Sequence, residues 1–191
     1  MPATWTNYLY ISVLIIILLV ILLLAVNRRV AVAKFYTDFF KSTDNAKMIG
    51  YCFHGLVQTK WVGVFNWNTD KVFVALECSL SENFFIEKID SERGVTAVKE
   101  PLIRLEYSGH IFLTNNIVAA QNILDKAADC FENLFQLKCC HFEFCPAKKV
   151  WSINCPASIW VKITTSDWYP GYPPSPKAIL IILAKLVNVV E

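Results

Sequence analysis

The stretch YLYISVLIIILLVILLLAV, Tyr8 to Val26, decides how the chain is read. It holds nineteen residues and no charge. Past its aromatic start, Ser12 is its only clearly polar member. As a helix at about 1.5 Å per residue it covers roughly 28 Å, close to the hydrocarbon thickness of a bilayer. A core helix of a soluble protein carries a polar stripe at this length, and this stretch has none. It reads as a transmembrane helix.

The flanks set its orientation. MPATWTN before it carries no charged side chain, whereas Arg28, Arg29, Lys34, Lys41 and Lys47 come after it against Asp38 and Asp44. The positive-inside bias places the C-terminal domain in the cytoplasm and the N-terminal tail outside. Trp5, Tyr8 and Tyr10 belong to the outer interfacial belt, and Arg28 and Arg29 mark the inner edge. The competing reading is a cleaved signal peptide, because Ala31-Val32-Ala33 has the form of a cleavage site. Against it stand a leading segment without positive charge, a long apolar run and two arginines ahead of the site.

Beyond the anchor, about 160 of the 191 residues remain, enough for one domain with a sizeable core. The hydrophobic fraction of 55% argues against disorder. Lys and Arg number 18 against 16 Asp and Glu, so no electrostatic nucleic-acid binder is indicated. The cysteine count of 7 is odd and shows no small-domain disulfide pattern, which fits a reducing compartment.

Residues 28–41 are expected to continue as a helix. Val32, Phe35, Tyr36, Phe39 and Phe40 recur at three- and four-residue spacing, giving an apolar face. That face could lie on lipid. Four aromatics in it favour packing on the adjoining domain. Residues 42–45 form a turn cluster. Strands are expected at 47–53, 60–66, 71–79, 83–89, 102–107 and 110–114, rich in Val, Ile, Phe and Trp. With 67–70 as a loop, Phe65 faces Val72, Val64 faces Phe73 and Lys60 faces Glu77. Both faces of this hairpin are apolar, which calls for a central or doubly covered position.

Residues 115–137 form an amphipathic helix that Asn115 or Asn116 can cap. A second strand group comes next, at 138–145, 149–154 and 158–165. With 146–149 as a loop, Phe144 faces Trp151, Phe142 faces Ile153 and Cys140 faces Cys155. The stretch DWYPGYPPSP, 167–176, is a linker before a last helix at 177–190, with Ser175 and Pro176 as cap and first-turn residues. That helix is too short to span a bilayer and should pack on the sheet.

The expected fold class is α+β: an N-terminal single transmembrane helix, then an antiparallel-sheet domain with two covering helices, in the order strands-helix-strands-helix. The division is 1–27 for tail and membrane helix, 28–46 for a juxtamembrane amphipathic helix and turn, and 47–191 for a cytoplasmic α+β domain.

No motif fixes a reaction. Cys139-Cys140-His141 with Cys145 and Cys155 supplies soft ligands but no Cys-x-x-Cys pair. A metal shell would draw on Cys139, His141 and Cys145, which a strand of about 3.3 Å per residue spreads too far for one ion. Cysteines as small core hydrophobes are the simpler reading. His54 and His110 sit beside glycines outside any hydrolase signature. Gly is scarce, at 6, and no phosphate-binding loop or dinucleotide fingerprint occurs, so no cofactor is expected. In the linker, Trp168, Tyr169, Pro173 and Pro176 could meet a partner groove or simply stiffen the connection.

The functional expectation is a single-pass, non-enzymatic interaction or accessory subunit of a membrane complex. Its partners would be lipid and other subunits, and not nucleic acid, since apolar strands in excess of one core leave a binding patch. The alternatives are a metal or redox protein built on the Cys/His group, and a lipid or small-molecule carrier.

Overall fold

A computed structural model describes residues 3–49, 52–68, 71–80, 82–89, 102–150, 152–164 and 174–191. The first helix, α1 (Ala3–Lys41), is unbroken over 39 residues. From Tyr8 to Val26 all of its side chains are exposed. Farther along, the same helix enters the domain, where Phe35 and Phe39 are fully buried. The three- and four-residue aromatic spacing has therefore done what such spacing does on a core helix: it has aimed one face inward.

The chain then forms β1 (Asp44–Ile49), β2 (Cys52–Val57), β3 (Lys60–Asn68), β4 (Lys71–Glu77), β5 (Phe84–Ile89), β6 (Ile103–Tyr107) and β7 (His110–Thr114). After α2 (Ile117–Gln136) come β8 (Cys139–Cys145), β9 (Lys148–Val150), β10 (Ile153–Cys155) and β11 (Ser158–Thr164), and last α3 (Pro176–Val190). Nine strands make one sheet in the order β1-β2-β3-β4-β11-β8-β5-β7-β6, while β9 and β10 pair separately. The described pairings are antiparallel. The fold is α+β, as expected.

One face of the sheet carries the main core. Alternation brings Val62, Val74, Val161, Phe142, Ile86 and Phe112 to it from six strands. The end of α1, together with α2 and α3, covers this face. The caps are those read from the sequence. The Asn116 side chain accepts from Ala119 N at 3.1 Å, and that of Ser175 from Ala178 N at 3.5 Å, with Pro176 in the first turn of α3. Lys138, at φ 64°, turns the chain out of α2.

Four local expectations are corrected. Residues 47–53 are not one strand but parts of β1 and β2, which pair with each other. Gly55 permits this closeness, because a Cβ there would meet Asp44 O at 2.8 Å. The β3–β4 register is shifted by one: Phe65 faces Phe73 and Val64 faces Val74. An irregularity between Asn66 and Asn68 supplies the extra residue. Lys60 consequently pairs with Glu191 at 2.6 Å instead of Glu77, and Glu77 accepts from Trp61 N at 2.7 Å.

The largest correction concerns β8. It does not pair with residues 149–154; its neighbours are β11 and β5. Cys155 faces Lys148, so the expected Cys140–Cys155 opposition does not exist. Trp151, expected opposite Phe144, lies outside the described residues. The β8–β11 register and the β9–β10 register are continuous with each other. Pro146 and Pro156 stand in the gap. Proline lacks the donor that a ladder needs, so the long hairpin breaks there. Its tip folds back onto the second face of the sheet. There Val150, Ile153 and Cys155 join Cys52, Phe65 and Trp160 in a smaller apolar cluster. Phe65 stacks on Trp160 at 4.7 Å between ring centroids, and Lys148 Nζ sits 4.5 Å over the Trp160 ring.

This second cluster depends on Gly63. A Cβ at that position would lie 2.6 Å from both the Trp61 and Phe65 rings. Gly63→Val should therefore destabilise the fold by about 1–3 kcal/mol, because overpacking outweighs the gain in strand propensity. Urea denaturation of the detergent-solubilised chain measures it, and a neutral or stabilising result would refute the packing argument.

Candidate functional site

Where α1 meets β1 and β2, the domain has an apolar groove of about 530 Å³. One wall is a helical face at three- and four-residue spacing: Ala33, Tyr36, Thr37, Phe40 and Lys41. Met48 of β1 and Phe53 of β2 form the other wall. Tyr36 stacks on Phe53 with centroids 4.6 Å apart, and Phe40 meets the same ring edge-on at 6.2 Å. Phe40 is 46% exposed and Met48 63% exposed, so the aromatic floor is open to its surroundings.

The polar groups near this groove are placed unequally. Thr37 Oγ1 donates to Ala33 O at 2.9 Å, so its hydroxyl is turned back into the helix. The Tyr36 hydroxyl is buried and has no hydrogen-bond partner among the described residues. Burial first, and the neighbouring Cys52 second, hold its pKa above the usual phenol range, so it remains a donor. Lys41 lies at the rim in the last turn of α1.

A second polar centre lies on the opposite face of the sheet. Glu87 of β5 faces His141 of β8, and Lys162 of β11 lies beside His141. Lys162 Nζ donates to Glu87 Oε1 at 3.2 Å. His141 Nδ1 lies 3.5 Å from Glu87 Oε2, and the imidazole stacks on Phe85 at 5.8 Å. His141 is the larger influence and Lys162 the next, and against the opposing effect of burial they hold the Glu87 carboxyl down to about 2.

The metal candidates are not assembled. Cys139 belongs to the main core. The register shift at Cys140 puts His141 on the other face. Cys145 lies with the second cluster, four residues along the strand from His141. Its thiol donates to Glu143 Oε1 at 3.1 Å and accepts from Lys148 Nζ at 3.2 Å. Burial, then Glu143, pushes that thiol up to about 12 despite Lys148. Burial likewise raises Cys139. Protonated, buried thiols are poor ligands and poor nucleophiles. Among the described residues no three His, Cys, Asp or Glu side chains stand where they could hold one metal.

Tyr8 and Tyr10 are exposed on α1. The side chains of Trp5, Arg28 and Arg29 lie outside the described residues, as do Trp168, Tyr169 and Pro173. Pro176 is buried at the start of α3. His110 packs against Phe112 and Phe135, with Glu132 at 3.7 Å from Nε2. The apolar stripe on 28–41 pointed to half of the groove. Met48 and Phe53 carried no local signal, because only strand pairing brings them to the helix.

The sign of the Glu87 effect is testable. Its pKa is lower in the folded state, so its contribution is full above the ordinary carboxylate range and is lost as pH falls toward 2. Glu87→Gln should cost about 1–2 kcal/mol near pH 6, and the gap to the parent should narrow below about pH 4 and close as pH approaches 2. Urea midpoints at several pH values measure it; a gap independent of pH would refute the assignment.

No protein-family model matches the chain, and no curated protein sequence matches it. Among solved structures, the chain is similar to the crystal structure of the mycobacterial trehalose monomycolate transport factor A, TtfA. Identity is 12%, the match covers 76% of this chain and 72% of that chain, and the TM-score is 0.45.

Proposed function

We propose that the chain is a single-pass membrane protein whose α+β domain works in the cytoplasm as a non-enzymatic interaction or accessory subunit of a membrane complex. One observation carries this reading. The helix that is exposed and uncharged over Tyr8–Val26 is the same helix that buries Phe35 and Phe39 in the domain core. A tether needs only a flexible linker. A helix shared by the span and the core restricts how the domain can swing on the membrane. It holds one surface at a set height, which suits docking to a neighbouring membrane subunit.

The orientation rests on Arg28, Arg29, Lys34, Lys41 and Lys47 coming after the span. The odd count of 7 cysteines, without a small-domain disulfide pattern, supports a reducing compartment. In this reading 1–27 supplies the anchor, 28–46 joins it to the sheet, and 47–191 presents the binding surface.

Val118 lies on α2 and is 75% exposed. In a chain with Cys130 and Cys140 replaced by Ser, Val118→Cys should react with a membrane-impermeant maleimide only after the membrane is permeabilised. Labelling in intact cells would reverse the orientation. After mild detergent extraction, the chain should migrate on a native gel well above its mass of 21.8 kDa plus detergent. A free monomer at native expression level would defeat the subunit reading.

A further inference from the structure

Resting on the membrane reading above, we propose that the groove between α1 and β1–β2 holds one bilayer phospholipid, with its acyl chain along the aromatic floor and its phosphate at Lys41. Height along α1 is the first reason. Ala33 is seven residues past Val26, about 10 Å along the axis, and the interfacial layer of a bilayer is itself about 5–8 Å deep. The lower end of the groove thus opens just above that layer.

Polarity is the second. From Ala33 to Lys41 the groove runs about 12 Å up the helix. Its apolar end is nearest the membrane and its cation is farthest away. A phospholipid lifted headgroup-first has this order, with its tail trailing down beside α1 into the bilayer. Among the described residues Lys41 has no hydrogen bond or ion pair, so its charge is open to a phosphate.

Size and lining agree. The volume of about 530 Å³ suits a small ligand. Thr37 adds no free hydroxyl to the wall. The Tyr36 ring, stacked on Phe53, makes the wall apolar at this level. Burying Phe40 and Met48 under an acyl chain would also remove exposed apolar surface next to the membrane.

The test uses the full chain in phosphatidylcholine vesicles containing phosphatidylglycerol with a diazirine midway along one acyl chain. After irradiation, adducts are mapped by peptide mass spectrometry. Adducts are expected in 46–57 as well as in 8–26. Phe40→Asp with Met48→Asp should lower the 46–57 adducts at least tenfold, and Lys41→Glu should lower them several-fold. Both floor residues are exposed, so the core should survive. Val118→Asp on α2 should change nothing. Adducts confined to 8–26, or unchanged in the double variant, would overturn the proposal and leave the membrane reading standing. Adducts in neither region would overturn both. A second copy in the groove would confine adducts to 8–26 and let Met48→Cys form a disulfide-linked dimer, which also defeats the lipid assignment.

Discussion

The burial of Phe35 and Phe39 is the interaction on which the rest of the arrangement depends. Fully burying two such side chains contributes about 3–6 kcal/mol, a large share of the stability of a domain this size. It makes the long apolar N-terminal helix a layer of the core at its C-terminal end. The groove and the placing of α1 against β1 and β2 follow from where those two rings insert. Tyr36 and Phe40 flank the buried pair on the same helix, so Tyr36 is half-buried and Phe40 exposed against Phe53.

The sheet has two unlike faces for a related reason. Three helices supply enough apolar surface for one face only. The other face carries Trp61, Phe65, Phe73 and Trp160 and would be costly to leave bare. The chain covers part of it with its own hairpin tip, folded over at Pro146 and Pro156. Where the tip does not reach, the face changes to Glu87, His141 and Lys162, groups that tolerate partial hydration when paired. Apolar residues in excess of one core thus have an intramolecular explanation over much of the sheet. Within the described part of the domain, Phe40 remains open at the groove between α1 and β1–β2.

Much of the element order was legible from residue pattern. The run Tyr8–Val26, the stripe on α2, the Asn116 cap and the Ser175-Pro176 start of α3 are local signals, and each stands where the pattern puts it. The pairings were less legible. A single extra residue between Asn66 and Asn68 moved Phe65 from Val72 to Phe73. The side-chain period in a strand is two, so that slip exchanges every cross-strand contact. The site residues divide in the same way. Tyr36 and Phe40 were visible as part of a helical face, but Met48, Phe53, Glu87 and Lys162 gain their roles only across strands distant in sequence.

The sequence by itself determined that the chain carries a membrane-compatible helix and an α+β domain behind it, because hydropathy and periodicity are properties of neighbouring residues. Only the tertiary structure decided that Phe35 and Phe39 of the expected helical face reach the core while Phe40 stays exposed, and that β8 lies between β11 and β5. It also decided that Cys139 and His141 point to opposite faces. Those outcomes depend on which distant strands compete best for each backbone edge. That competition is settled by the total apolar surface buried and by the ladder bonds that proline and bulges remove.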